Sequence, residues 1–356
     1  MTGSPRLRVG IVGAGMAGLA CAQALAMSGA MVQLVDKGRG PGGRLATRRV
    51  PWADDANVVL GLDHGAQILY PRSEAFGAWL KWGETQGWAA PWAPRPGDPW
   101  ASAKASAGAL APPAPRTGWV GVPGMSALAQ AMRRDLSVAS GQAVVAIERA
   151  GDAAWSLRDA QGMVFGPFDH VVVAVPPAQA APLLAPFQPE WAQRLRAVAM
   201  LPCWTLLAVS DDTPTGWDVL QPETGPLAWV ARNHRKPGRV VPAGVATWVA
   251  QAGAAWTAAH VDDDAATVQQ ALAGALQALL APAGPQRWQH LAVHRWLYAL
   301  APTDPAAPPA QPPCWWDAAA GLGVCGDHLA GNDVEAAWAS GRALARCVVV
   351  PPRPAG

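Results

Sequence analysis

The stretch from Val9 to Asp36, VGIVGAGMAGLACAQALAMSGAMVQLVD, constrains this chain more than any other part of it. Val9–Val12 is a short β-rich run, and Gly13, Gly15 and Gly18 follow at G-x-G-x-x-G spacing. Leu19–Ser28 then has the small-residue texture of a helix, closed by Gly29, and Met31–Val35 is a second apolar run ending in Asp36. In a strand–turn–helix–strand unit each glycine has a task. Gly13 permits the tight turn, Gly15 lets backbone approach a pyrophosphate, and Gly18 lets the helix sit close on the sheet. The helix start offers free N–H groups and partial positive charge to phosphate. Asp36, eighteen residues past Gly18, is placed to accept hydrogen bonds from both hydroxyls of an adenosine ribose. An acid there disfavours a 2′-phosphate, so FAD or NAD fits better than NADP.

The loop after Asp36, KGRGPGGRLATRR, packs Gly38, Gly40, Gly42 and Gly43 among Arg39, Arg44, Arg48 and Arg49. Glycine this dense suits backbone running against a ligand, and the arginines can neutralise phosphate. At 356 residues the chain suits two domains. A net charge of +2 with dispersed Lys and Arg gives no nucleic-acid surface. The five cysteines are odd in number, scattered and without CxxC spacing, which argues for a reducing compartment and against structural zinc. His290 and His294 are four apart, but HLAVHRWLYAL reads as a strand, so no metal site is expected. Arg6 and Arg8 before an apolar stretch imitate a signal peptide, but the nucleotide-turn glycines explain that stretch better. No apolar run of membrane-spanning length stands elsewhere, so a cytoplasmic protein is expected. The nineteen tryptophans read mainly as filling for core and inter-domain gaps, a minority as walls of a ring-binding pocket.

Further along, 93–118 is rich in Pro, Ala, Gly and Ser and reads as an irregular excursion or flap. Gln142–Arg149, Trp155–Asp159 and His170–Val175 are β-rich, and Pro176-Pro177 breaks the chain after VVVAV. Thr205–Val209, Leu227–Val230, Ala246–Ala250 and Leu291–Trp296 suggest a mostly antiparallel sheet, with a helix over Asp263–Leu280. Pro302–Pro313 is a second Pro-rich loop. Gly321–Asp327 ends a strand in Gly-Asp and feeds a helix over Asp333–Arg346, capped by Asn332 or Asp333.

Together the fingerprint, DKGRGPGGR, VVVAVPP and GVCGDHLAGNDVEAAWASG resemble the FAD-dependent amine-oxidase superfamily. DHGAQ, GWVGVPGMSAL, WVARNHRKPGR and HRWLYA bring the chain closest to its bacterial renalase-like branch. The resemblance implies an α/β fold in which a Rossmann-like FAD-binding domain (1–75, 119–175 and 297–350) interleaves with a smaller substrate domain (76–118 and 176–296) of mixed or antiparallel sheet plus helices. It assigns non-covalent FAD to Gly13, Gly15, Ala17, Gly18, Asp36, Lys37, Gly43, Arg44, Gln67, Val145, Gly326, Asp327, Asp333 and Val334. Within that set Val144 or Val145 backbone would meet adenine, and Asp327 would accept from the ribityl or pyrophosphate region. The start of the last helix would face the N1–C2=O edge of the flavin, where its dipole favours the reduced anion.

The same resemblance implies oxidation of isomeric dihydro forms of NAD(P), with hydride passing to flavin N5 and dioxygen leaving as hydrogen peroxide. Such chemistry needs little acid–base help, because the dihydronicotinamide gains aromaticity; positioning and water exclusion do most of it. Asn233, Trp296 and Tyr298 are the candidates for the flavin face, and Arg232 for a phosphate or carboxylate. Ile68 stands where relatives often carry tyrosine, and Gln251 where they tend to carry histidine, both at positions expected to face substrate. Two other readings stay open: an amine oxidase or desaturase with an apolar substrate, and a non-catalytic flavin-binding module. Oligomeric state is not legible.

Overall fold

The strand Arg8–Val12 occupies the inside of a six-stranded sheet, flanked by His170–Val173 on one side and Met31–Asp36 on the other. The computed structural model describes residues 6–52, 55, 57–97, 116–151, 154–302 and 312–349. Most of the 93–118 excursion and of the 302–313 loop lie outside the described residues. The chain divides into two compact units. The first comprises Met1–Gly43, Ala129–Met200 and Leu300–Gly356, the second Arg44–Leu128 and Leu201–Ala299.

In the first unit the sheet order is Cys314–Asp317, Leu322–Cys325, His170–Val173, Arg8–Val12, Met31–Asp36, Ser137–Ser140. Only the Cys314–Asp317 pairing is antiparallel; every other neighbouring pair runs parallel. Successive strands step to opposite sides of Arg8–Val12, so the switch point falls at its carboxyl end, where doubly wound sheets take their ligands. The helix Met16–Met27 buries Met16 to Ala22 together with Leu25. Its small side chains allow neighbours on several sides: a Cβ on Gly341 of the closing helix, Val334–Val349, would stand 2.1 Å from the Ala17 carbonyl oxygen. An antiparallel meander of Val144–Arg149, Trp155–Asp159 and Val164–Phe168 belongs to the same unit. Two helices follow, Pro177–Leu184 and Pro189–Arg196, each opening on proline at its first position. Pro177 thus starts a helix where the sequence reads a break, because its fixed φ suits the first turn and its missing N–H is not needed there.

The second unit is built on a five-stranded antiparallel sheet ordered Val219–Leu220, Leu227–Arg232, Val245–Ala252, Leu201–Asp211, Trp288–Leu300. Side chains alternate across it. Leu206, Ala208, Trp248 and Ala250 face the helix Ala265–Leu280 through Val268, Leu272 and Leu276. Leu207, Val209, Val245 and Val249 face the hairpin Thr47–Pro51/Val59–Asp63 through Val50, Leu60 and Leu62. Burial on both faces explains the unbroken apolar run at Leu206–Val209. That helix is capped by Asp264, whose Oδ1 accepts from the N–H groups of Ala266 and Thr267.

The division differs from the sequence boundaries in four places. Residues 44–75, 119–128 and 297–299 fall in the second unit, and 176–200 in the first. The hairpin Thr47–Asp63 explains the first shift, since its apolar face packs on the antiparallel sheet. The helices after Pro176 explain the last, since Ala180, Leu184, Ala192 and Leu195 bury against Val171, Val173 and Trp155.

Candidate functional site

At the end of Arg8–Val12 the chain turns through Gly13, whose φ of +103° is a left-handed conformation that L side chains rarely adopt. A Cβ at Gly18 would lie 2.0 Å from the Gly13 carbonyl oxygen, so only glycine lets the helix sit this close to the turn. Gly15 is different: a Cβ there meets nothing within 4 Å. Gly15 is also the N-cap of Met16–Met27, and no side chain caps that helix. An uncapped helix start beside a glycine with room in front of it is a cradle for a pyrophosphate. The glycine loop forms a second wall, since Gly42 N–H donates to the Ala14 carbonyl at 2.8 Å and Gly42 pairs with Gly15.

Asp36 is held from both sides: Ala14 N–H donates to Oδ2 and Gly38 N–H to Oδ1, each at 2.7 Å. The two bonds fix the carboxylate at the end of its strand and leave each oxygen a further lone pair for a hydroxyl. Ala17 is buried in the first turn, Lys37 is exposed, and Gly43 takes a φ of +52°. Val145 lies at a register irregularity between Val144 and Ala146 and is 56% exposed. At the far strand, Gly326 N–H donates to Ser340 Oγ at 3.0 Å, and Asp327 is buried at the head of a short 3-10 turn. Asp333, rather than Asn332, caps the closing helix, accepting from Ala336 N–H at 2.8 Å, and Val334 opens that helix. All these residues except Arg44 and Gln67 fall in the first unit.

Arg44 falls in the second unit, where its guanidinium donates to the Ala299 carbonyl at 2.9 Å. Gln67 is buried, and its amide is spent on the Asp63 and Gly65 carbonyls, at 2.5 and 2.9 Å. Its Oε1 accepts from Lys236 Nζ at 3.1 Å. Lys236 in turn donates to Asp63 Oδ2 at 3.1 Å, and Arg239 donates to the same oxygen at 2.5 Å. Asp63 Oδ1 takes Thr47 Oγ1 and Met125 N–H. The Asp63 and Lys236 side chains are fully buried and Arg239 is nearly so. Although burial opposes ionisation, the two cations and these donors hold the Asp63 carboxyl down at about 2. Burial brings Lys236 down to about 8, against the pull of Asp63.

The substrate-facing candidates gather around the same segment. Asn233 donates through Nδ2 to the Gly61 carbonyl at 2.7 Å and accepts from Asp63 N–H. Gln251 Nε2 donates to the Gly65 carbonyl, and Trp296 Nε1 to the His64 carbonyl, each at 2.8 Å. The His64 ring stacks on Trp296 at 5.2 Å and meets His294 edge-on at 4.7 Å. Burial, then His294 and Arg48, push His64 down to about 4. Ile68 is half-buried against Gly118, where a Cβ would stand 2.5 Å from it. Tyr298 lies two residues past Trp296 on the same edge strand and is half-buried. Arg232 pairs with Asp212 at 2.5 Å and lies over Trp248.

Asp63, Lys236 and Arg239 are the residues that the sequence reading passes over. They stand inside DHGAQ and NHRKPGR, the motifs that carry Gln67 and Asn233, yet 173 positions separate Asp63 from Lys236. Among the described residues, no three His, Cys, Asp or Glu side chains converge to hold a metal ion, and no helix is long and apolar enough to cross a membrane.

Residues 97–349, more than two thirds of the chain, match the family model for flavin-containing amine oxidoreductases, and 11–81 match an NAD(P)-binding Rossmann-like domain. The chain belongs to the flavin-containing amine oxidoreductase family. It is thus an FAD-dependent oxidoreductase, and the cradle at Gly15 and Asp36 fits the adenosine diphosphate half of that cofactor. Solved structures agree on the fold. A chain from Exiguobacterium sp. 255-15, provisionally described as a protoporphyrinogen oxidase, superposes with a TM-score of 0.71 at 12% identity, over 98% of this chain and 99% of that one. Cyclohexylamine oxidase from Brevibacterium oxydans IH-35A gives 0.68 at 15% identity, over 97% and 99%. An oxidoreductase from Methanosarcina mazei gives 0.68 at 14%, over 96% and 100%. At such identities the likeness of this flavoprotein to them is one of fold.

Proposed function

We propose that this flavoprotein is a renalase-like oxidase that takes a hydride from a dihydronicotinamide-type substrate, an isomeric form of NAD(P)H, with dioxygen as acceptor and hydrogen peroxide as product. When bound, FAD supplies the two-electron acceptor. In this reading the first unit is the FAD-binding domain. Gly13, Gly15 and Gly18 with the start of Met16–Met27 bind the pyrophosphate, Asp36 holds the ribose, and Val145 backbone meets adenine. The second unit is the substrate domain, where Trp296 and Tyr298 offer ring surface and Ile68 an alkyl wall.

The observation that carries the choice of substrate is the charge of the second unit's interior. Lys236 and Arg239 share the single carboxylate of Asp63, a buried excess of one positive charge while Lys236 is protonated. Such an excess opposes entry of a protonated amine and suits an anionic dinucleotide. The amides of Asn233, Gln251 and Gln67 are spent on backbone carbonyls, and His64 is held neutral by burial. A ring that gives up hydride with a gain of aromaticity requires no base from such a set.

Anaerobic mixing tests this. The expected result is loss of the oxidised flavin's visible absorbance with 2- or 6-dihydro-NAD(P) and none with amines. Bleaching by a cyclic amine or hydrocarbon alone would favour the second reading, an amine oxidase or desaturase, for which the alkyl side chain of Ile68 is the supporting observation. Bound flavin that nothing in a broad panel reduces would indicate a binding module.

A further inference from the structure

Arg232 holds its carboxylate differently from Arg95 and Arg158. Those two present Nε and Nη2 to both oxygens of one acid, Asp218 at 3.1 and 3.0 Å and Glu148 at 2.8 Å twice. Arg232 meets Asp212 only through Nη2 and Oδ1, at 2.5 Å, and its buried Nε finds no acceptor among the described residues. His234 repeats the pattern. Its Nδ1 accepts from Thr247 N–H at 3.0 Å, the shorter of two contacts with that residue's backbone, so the ring, which burial keeps neutral, carries its proton on Nε2. That Nε2 is also buried without an acceptor, and it lies 3.7 Å from the same Asp212 Oδ1. The Trp248 ring backs both groups, 5.7 Å from the guanidinium carbon and edge-on to the imidazole.

We propose that Arg232 and His234 form a binding site for a phosphate group, which the Asp212 side chain occupies in part and leaves when the ligand enters. A buried donor without an acceptor is costly, so the site favours an anion that brings more oxygens than Asp212 does. A carboxylate has two, and even a full fork with Arg232 would leave the imidazole unserved. A tetrahedral phosphate offers three to this side: two along the guanidinium edge and one to His234 Nε2–H.

Exposure divides the roles. The Arg232 and His234 side chains are 5% and 7% exposed, whereas that of Asp212 is 41% exposed. Asp212 N–H donates to the Gly244 carbonyl at 2.7 Å, so its backbone stays fixed and only the side chain turns out into water. The donors are thus held ready on the Trp248 ring, and the acid in front of them is the movable part. All of these residues belong to the second unit, so the site is separate from the glycine cradle of the first.

The test uses the full-length, FAD-loaded protein, with inorganic phosphate as probe and sodium chloride at equal ionic strength as control, so it does not depend on which substrate the flavin accepts. Asp212→Asn removes a tethered competitor, and calorimetric titration should show phosphate bound roughly tenfold more tightly than by the parent. The melting temperature of D212N should rise with phosphate and not with chloride. Arg232→Lys in the D212N background should cancel the gain, since an ammonium group cannot serve two oxygens in a fork. Glu148→Gln frees the fork of Arg158, which is 42% exposed, and should gain no phosphate affinity. Should D212N fail to fold, the parent decides: a phosphate-specific rise in melting temperature that His234→Phe abolishes supports the site, and no rise overturns it. A D212N affinity equal to that of the parent, a gain that chloride matches, or an equal gain in E148Q would also overturn it. Competition then names the source: displacement by NADP but not NAD supports the site as one for a nucleotide 2′-phosphate, and displacement by neither as one for free phosphate.

Discussion

Lys236 Nζ lies 3.1 Å from Asp63 Oδ2, and neither side chain has any exposed surface. Arg239 binds the same oxygen, so one carboxylate balances two buried cations. Removing the anion should therefore harm the fold far more than removing one cation. Asp63→Asn leaves two like charges buried together, and the expected loss of unfolding free energy is about 3–5 kcal/mol. Lys236→Met leaves a neutral Asp63–Arg239 pair, and about 1 kcal/mol or less should be lost. Urea denaturation of the two variants checks the order; equal losses would show that the excess charge is compensated elsewhere.

Stability should fall in two acid windows. The His64 imidazole is depressed from 6.5 to about 4, so on acidification the unfolded chain takes up its proton first. The contribution from His64 is full above 6.5 and is lost as pH falls through 4. Asp63 is depressed from 3.8 to about 2, so its contribution is full above 3.8 and is lost between there and 2. For His64 the change should amount to about 2–3 kcal/mol. His64→Phe keeps a ring against Trp296 and removes the titration. In H64F, chemical unfolding measured from pH 7 to 4 should show a shallower decline, and an unchanged slope would refute the assignment.

What the sequence disclosed follows the range of each interaction. The turn at Gly13–Gly18 and the acid at Asp36 are legible because one strand, one turn and one helix settle them. The antiparallel sheet is legible from its apolar runs, and the helix Ala265–Leu280 from helical spacing. The bond from Asp63 to Lys236 is not, since no local pattern tells which distant cation a buried acid will meet. Nor is the pairing of Arg232 with Asp212, twenty positions away on another strand's end. The cysteines look scattered for the same reason: only strand pairing sets Cys314 against Cys325.

If the proposed function holds, Ile68 and Gln251 are where the substrate preference of this flavoprotein should respond to substitution. Gln251 Nε2 holds the Gly65 carbonyl at 2.8 Å, a bond an imidazole N–H can also make, and Ile68 is half-buried on the neighbouring segment. Restoring the aromatic hydroxyl and the imidazole with Ile68→Tyr and Gln251→His should raise the anaerobic flavin reduction rate by dihydronicotinamide isomers. A gain on the order of tenfold corresponds to about 1.4 kcal/mol of added transition-state stabilisation. Stopped-flow absorbance gives the rate directly. A double variant that keeps its flavin but reacts no faster would place both residues outside substrate contact.

The glycines of the first turn can separate cofactor binding from folding. A side chain at Gly18 would collide with the Gly13 carbonyl oxygen at 2.0 Å, so Gly18→Ala should destabilise the first unit itself. At Gly15 a Cβ meets nothing within 4 Å, and the backbone φ of −74° suits any L residue. Gly15→Val should therefore fold with nearly unchanged stability in its apo form, yet fill the room that a pyrophosphate needs. The expected result is a colourless protein whose FAD affinity is weaker by a factor of roughly 10 or more, about 1.4 kcal/mol. Flavin titration followed by fluorescence quenching measures it, and apo-protein melting provides the control. If G15V bound FAD as tightly as the parent, the pyrophosphate would have to lie away from this turn, and Asp36 could not be its ribose partner.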